Sequence, residues 1–409
     1  MSLSSFPESS ATADLSNERT GPRPSVVESG LGRGTPLRVM IAMSDTGGGH
    51  RAMSSALAGA LERRYGPSVQ VFIEDVFSIS PRTIPERVTR LYGPLIRVAP
   101  WLYGWMYHSL DTKRRYDVFS GLTKGRTQDK MQRLLDRIRP DVIVSTHPLA
   151  NRPLLDAIQV NGASVPVLAS VSELVTVHVS WVEPRLSLLN TATTESYQSV
   201  LRWGARPEIV RCVGLPVDER FGSVEPSPAE LRQAMGLAPD RFTVLLIGGG
   251  EGAGGIEAIV RTIQKTDLSV QLVVVCGRND ALRRRLTKFK MRTPTFVLGF
   301  VRTIPELMHA SDVVVTKGGP QTIAEALVTG RPVILTQTLP GQEEGNGAFV
   351  ESRGVGFRPG SVRRIVDNLA HLVNDPEQRA WMTANARRHG RPDAAGKLAQ
   401  LVVEVAGSQ

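Results

Sequence analysis

Two segments have the composition of anion-binding turns: Thr46-Gly-Gly-Gly-His50 and Gly248-Gly-Gly-Glu-Gly-Ala-Gly-Gly255. Clustered glycines at the end of an apolar strand let backbone N–H groups close on an anion. The helix that follows adds its positive N-terminal end. Neither segment carries the Gly-Lys-Ser/Thr of a Walker A loop, and neither is a clean dinucleotide fingerprint. A purely structural turn is the competing reading for each, and a pair at equivalent places weighs against it. His50 closes the first segment, at the start of an expected helix. An imidazole there suits general-base work on a hydroxyl, because it titrates near neutral pH; a lone histidine can equally be structural. Lys317-Gly-Gly-Pro-Gln-Thr-Ile-Ala-Glu-Ala326 forms a third turn at Gly318 and Gly319, with Pro320 at the first helical position. Glu325, on that helix, is placed to accept two hydrogen bonds from a ribose diol, or else is solvated. Gln342, Glu343 and Asn346, three and four apart, are expected on one helix face. Their amides and carboxylate suit sugar hydroxyls.

The elements that must hold these residues are legible as short runs rich in Val, Ile and Leu. Strands are expected over 37–43, 69–75, 141–145, 166–171, 187–193 and 208–213, and then over 242–247, 270–276, 295–299, 312–316 and 332–336. Helical stretches intervene at 51–64, 127–138, 255–264 and 320–329. Alternation of this kind predicts an α/β fold with parallel sheets buried on both faces. The series restarts after Gly214-Leu-Pro-Val217, and each half opens on a strand that runs into a glycine turn. The expected organisation is a disordered tail over 1–35, a first Rossmann-like domain over 36–217 and a second over 218–390. A C-terminal helix over 391–409 is free to pack back on the first domain. Two such domains face each other across a cleft, with ligands beyond the carboxyl ends of the strands.

The length of 409 residues agrees with two domains. No apolar run is long enough for a transmembrane helix, and the first 35 residues lack a signal-peptide core. Cys212 and Cys276 match no metal-ligand spacing and read as reduced, buried thiols. The net charge of +10 favours an anionic partner: nucleic acid, an acidic membrane surface or a phosphorylated substrate. Its distribution narrows that choice. Residues 82–130 hold ten Lys/Arg against four Asp/Glu, together with Tyr92, Trp101, Tyr103, Trp105, Tyr107 and Tyr116. Aromatic rings favour the membrane interface, and cations such as Arg114 and Arg115 bind acidic headgroups. Packing of these rings inside the first domain is the alternative. Nucleic acid is not expected, because no binding module is recognisable.

In combination, Asp45-Thr-Gly-Gly-Gly-His-Arg51, Ser145-Thr-His-Pro148, Gly214-Leu-Pro-Val217, Gly248-Gly-Gly-Glu-Gly252, Cys276-Gly-Arg-Asn279, Gly318-Gly-Pro320 with Glu325, and Pro340-Gly-Gln-Glu343 with Gly345-Asn346 carry a resemblance. Over about 37–390 the chain resembles the family-28 glycosyltransferases of the GT-B fold. It is most similar to the monogalactosyldiacylglycerol synthases and processive diacylglycerol glucosyltransferases, with MurG a more distant relative. The resemblance implies an inverting transfer of a hexose, galactose or glucose, from a UDP-sugar to diacylglycerol, without a metal or other cofactor. It implies that His50 is the base and that Gly249 and Gly250 cradle the diphosphate. Arg278 and Asn279 would lie near the nucleotide, and Phe300 and Val301 would read the uracil. Glu325 would hold the ribose, and Gln342, Glu343 and Asn346 the sugar and diphosphate. Ser172-Glu-Leu174 stands where relatives show Thr-Asp-Leu, so Glu173 would serve as the acid there; Gln321 stands for a usual glycine. Trp101, Tyr103, Trp105 and Tyr107, with Arg114 and Arg115, would face the lipid acceptor and an anionic membrane. That implies a cytoplasmic protein bound peripherally at the inner face of the cell membrane. A non-lipid acceptor, a UDP-sugar epimerase and a non-catalytic sugar-nucleotide binder are the competing readings.

Overall fold

The computed structural model describes residues 35–44, 48–77, 99–162, 164–223, 225–249 and 254–408, with the backbone alone at 100 and 122–127. The expected tail, Tyr92, Gly250 and parts of the first two glycine segments lie outside the described residues.

The first six strands are β1 (Leu37–Met43), β2 (Val69–Asp75), β3 (Val142–Ser145), β4 (Val167–Ser170), β5 (Leu188–Asn190) and β6 (Val210–Arg211). They form one parallel sheet in the order β2-β1-β3-β4-β5-β6. Around it lie α1 (Gly48–Tyr65), α2 (Pro100–Leu110), α3 (Lys113–Ile138), α4 (Pro148–Val160) and α5 (Thr194–Arg202). The next six strands are β7 (Phe242–Ile247), β8 (Val270–Val275), β9 (Thr295–Leu298), β10 (Val313–Thr316), β11 (Val333–Leu335) and β12 (Gly356–Phe357). They form a second parallel sheet in the order β12-β11-β10-β7-β8-β9. Its helices are α6 (Pro228–Ala234), α7 (Ile256–Ile263), α8 (Asp280–Lys288), α9 (Ile304–His309), α10 (Pro320–Thr329), α11 (Asn346–Ser352), α12 (Val362–Asn374) and α13 (Pro376–His389). The chain ends with α14 (Ala394–Gly407).

Strands β3, β4, β8, β10 and β11 are buried at every position, as mainly apolar parallel strands covered on both faces are. Each sheet therefore separates two apolar layers. The C-terminal α14 belongs to the first sheet. Its Leu398, Ala399 and Val402 pack with Leu57 and Leu61 of α1 and Val39 and Ile41 of β1. Full burial of a leucine such as Leu398 contributes roughly 1.5–3 kcal/mol.

Both sheets reverse their strand order at one point. In the first it lies between β1 and β3, and in the second between β7 and β10. Beyond the carboxyl ends of the strands flanking such a point, the loops diverge and leave a crevice. The sequence Thr46–His50 follows β1, Thr146-His147 follows β3, Gly248–Gly255 follows β7 and Lys317–Gly319 follows β10. His50, Gly249 and Lys317–Gly319 thus stand at the two reversal points.

Three expectations are corrected here. The helix expected at 127–138 begins at Lys113. Residues Gly341–Gly345 form turns and the helix starts only at Asn346, so Gln342 and Glu343 lie on a loop rather than on a shared helix face. Glu343 holds that loop bent by accepting the Leu339 N–H at 2.9 Å. Cys276 is buried as expected, but Cys212 is exposed.

Candidate functional site

The first crevice holds His50, the third residue of α1, buried against the end of β3. Its Nδ1 lies 2.7 Å from the Thr146 carbonyl oxygen. A carbonyl only accepts, so Nδ1 carries the proton and Nε2 is left with a lone pair. Burial lowers the pKa of His50, against the opposing effect of the Thr146 bond, and this favours the neutral ring. His147 stands beside it, with ring centroids 4.9 Å apart. Its pKa is held well below the usual value by burial and by the neighbouring His50. Two imidazoles in one buried pocket disfavour a proton on either. The tether is itself anchored, since Thr146 Oγ1 meets Ser54 Oγ of α1 at 3.0 Å. His50 is thus an oriented imidazole with Nε2 free of the Thr146 bond. Thr146 and His147 were missed as site residues, although Ser145-Thr-His-Pro148 was visible as a motif; only the sheet order brings it to His50.

Glu173 lies on the loop after β4, is buried, and accepts a hydrogen bond from the Ser172 hydroxyl at 3.2 Å. Burial pushes its carboxyl up to about 7. Among the described contacts none joins it to His50.

The second crevice is built from glycine. Gly249 and Gly254 take positive φ values of 68° and 92°, in the left-handed region. A Cβ on Gly249 would lie 3.3 Å from the Lys317 side chain, and one on Gly319 would lie 3.4 Å from Lys317 Nζ. Lys317 therefore stands between the turn after β7 and the turn after β10. It was missed as a site residue because no spacing marks it. Its Nζ pairs with Glu343 Oε1 at 2.9 Å. Pro320 opens α10 as expected, and the helix N-terminus at Gly319 faces the same crevice.

Glu325 is buried on α10, one turn after Gln321, whose Nε2 donates to Oε1 at 3.1 Å. Burial pushes the Glu325 carboxyl up to about 8 against that bond, and the nearby Asp218 adds to the rise. Gln321 also reaches the Pro216 carbonyl, and a Cβ on Gly49 would lie 3.6 Å from Gln321 Cβ. The start of α1 and the start of α10 therefore meet across the cleft. Asn346 is fully buried and donates to the Gly318 carbonyl at 2.7 Å. Its Nδ2 braces the glycine turn, and its Oδ1 is left without a partner among the described residues. Asn279 accepts from the Leu282 N–H at 2.9 Å and so caps α8. Arg278 lies over the Phe300 ring at 5.6 Å, an exposed pair at the ends of β8 and β9, while Val301 packs partly into the core.

The aromatic stretch divides by helix face. On α2, Trp101 and Trp105 are 70% and 66% exposed. Tyr103 and Tyr107, on the opposite side, turn inward: Tyr103 Oη donates to Gln342 Oε1 at 3.3 Å, and the Tyr107 ring lies against Gly341. The expectation that all four face lipid is corrected by this division. Tyr116 is core, buried against His178 and Arg152. Lys113, Arg114 and Arg115 are exposed at the start of α3. A cavity of about 590 Å³ lined by Arg232, Arg241, Asp312 and Arg379 lies at the amino ends of the second sheet's strands, away from this chemistry.

Comparison with known proteins agrees with this geometry. Residues 50–217 match the family described as monogalactosyldiacylglycerol (MGDG) synthase, and residues 229–389 match glycosyl transferases group 1. The chain is 33% identical to the chloroplastic monogalactosyldiacylglycerol synthase of Spinacia oleracea, over 89% of this chain and 72% of that protein. Among solved structures, Acinetobacter baumannii MurG aligns with a TM-score of 0.59 at 15% identity, covering 90% of this chain and 100% of that one. The UDP-GlcNAc 2-epimerase of Neisseria meningitidis bound to UDP-GlcNAc aligns with a TM-score of 0.56 at 14% identity, covering 91% and 100%. These structures share the GT-B fold with this chain, and that fold alone does not separate a transferase from an epimerase.

Proposed function

Because the chain belongs to the monogalactosyldiacylglycerol synthase family, we propose that it transfers a hexose from a UDP-hexose to the free hydroxyl of diacylglycerol. The hexose named in its relatives is galactose. The observation that carries a transfer, rather than an interconversion of the donor, is the His50 tautomer. A neutral imidazole with its lone pair at Nε2 is what an acceptor hydroxyl needs, and it stands on the domain opposite the glycine cradle. The acceptor oxygen attacks the anomeric carbon as its proton passes to Nε2, and the bond from that carbon to the diphosphate oxygen breaks. The configuration at that carbon inverts. Charge developing on the departing UDP meets Lys317, the amides around Gly249 and the N-terminus of α10. Glu325 accepts from the ribose hydroxyls, and Arg278 with Phe300 flanks the base. Gln342 and Glu343 serve the sugar.

The exposed Trp101 and Trp105, with Lys113, Arg114 and Arg115 beside them, support an anionic membrane surface as the site of action. Among the described residues no helix is long and apolar enough to cross a membrane. The test is incubation of the protein with labelled UDP-galactose, UDP-glucose or UDP-N-acetylglucosamine and diacylglycerol vesicles. Label from a hexose donor is expected in the organic phase. Epimerised donor with no lipid product would overturn the proposal.

A further inference from the structure

Helix α2 belongs to the first half of the chain, yet one side of it is fitted to a loop of the second. Tyr103 donates to Gln342 Oε1 at 3.3 Å, and His108 Nε2 lies 3.1 Å from Glu344 Oε1. A Cβ on Gly104 would lie 2.6 Å from Pro340 Cβ, so only glycine allows this approach. A Cβ on Gly341 would lie 2.6 Å from the Tyr107 ring, and Gly341 itself takes a φ of 83°. Tyr107 is held from behind by the His178 ring, 4.8 Å away. The clasped loop is the one that carries Gln342 and Glu343, and Glu343 in turn holds Lys317 beside the glycine turns. The other side of α2 exposes the rings of Trp101 and Trp105, four residues apart.

We propose that α2 is a two-sided coupler: its Trp101–Trp105 side seats on an anionic lipid surface, and its Tyr103–Gly104–Tyr107 side thereby holds the Pro340–Glu344 loop in the arrangement that binds UDP-hexose. This rests on the reading of the protein as a lipid-facing transferase. Tyr103 and Gly104 are positioning residues, because they act on the donor through Gln342 and Pro340. Such coupling makes donor capture wait for the interface, where the acceptor is found, and so limits hydrolysis in solution. It also explains why aromatic residues on one short helix point two ways.

The test measures UDP affinity of the full chain with and without vesicles of phosphatidylcholine and phosphatidylglycerol in equal parts. Wild type is expected to bind UDP more tightly on vesicles, by roughly three- to ten-fold, the worth of one hydrogen-bonded contact. Tyr103→Phe, which keeps the ring, and Gly104→Ala, which pushes Pro340 away, are expected to sediment with vesicles as wild type does. Both should lose the tightening, and their KM for UDP-hexose should rise by more than their kcat falls. Equal UDP affinity with and without vesicles in wild type would overturn the coupling. If the same preparation still moves label into lipid, the transferase reading survives that result. Full tightening in both variants would equally overturn it, and failure of wild type to bind vesicles would remove the coupling and its premise together.

Discussion

The central residue is His50, whose role depends on a single hydrogen bond. The Thr146 carbonyl fixes the proton on Nδ1, and burial lowers the ring's pKa and so favours its neutral form. His50→Ala is expected to reduce transfer by at least a hundred-fold, the usual worth of a positioned base, while UDP binding stays within a factor of about two. Near-normal turnover in that variant removes His50 as the base. Because its pKa is lowered, the acid limb of kcat/KM should fall below pH 6.5, the ordinary value for histidine. Glu325 gives a prediction from a shift in the opposite direction. Its carboxyl is raised to about 8 in the free protein, and ribose hydroxyls donating to it favour the ionised form. UDP binding should therefore release a proton, and affinity should rise with pH until about 8 and then level off. Calorimetry in buffers of different ionisation enthalpy checks this; an unchanged pH slope in Glu325→Gln would contradict it. Which residue types could do chemistry is legible from type and spacing, but the contacts each makes are not: Asn346 braces a turn through the Gly318 carbonyl, and Asn279 caps a helix. Lys317 bears on both glycine turns, and such contact across two strand ends leaves no mark in the linear sequence.

At the scale of elements, strands β1, β2 and β7 fall where their apolar runs predict, and the other expected strands are trimmed by one to four residues. Only the two-residue β12, Gly356-Phe357, was not foreseen. Parallel strands buried on both faces leave a continuous apolar signature, and for this reason they are easily read. Helix α2 shows the limit. Its aromatic residues were visible, but which side meets Pro340 is decided by a contact some two hundred residues away in sequence. Trp101 and Trp105 keep the expected exposure. Replacing both with Ala should weaken binding to anionic vesicles by roughly ten-fold or more, given the apolar area each ring offers. Co-sedimentation reads this directly, and unchanged binding would remove these residues from the membrane face.

For the whole molecule, two sheets with their strand-order reversals facing one cleft turn a long chain into two half-sites. One half holds the oriented His50 ring and the other the glycine turns with Lys317, and α14 returns from the second half to close the first core. The excess charge finds a physical place as well. Lys113, Arg114 and Arg115 form an exposed cationic cluster at the start of α3, following Trp101 and Trp105 in the chain. The repeat of strand and glycine turn made this plan legible in the sequence, whereas the meeting of α1 with α10 needed the folded chain. The most direct test of the account is the product itself. Purified protein, UDP-galactose and diacylglycerol vesicles are incubated, and the organic phase is examined for a glycolipid and the configuration of its anomeric carbon. The account predicts a hexosyl-diacylglycerol inverted relative to the α-linked donor. Free hexose alone, or a lipid product that keeps the donor's α configuration, would contradict it.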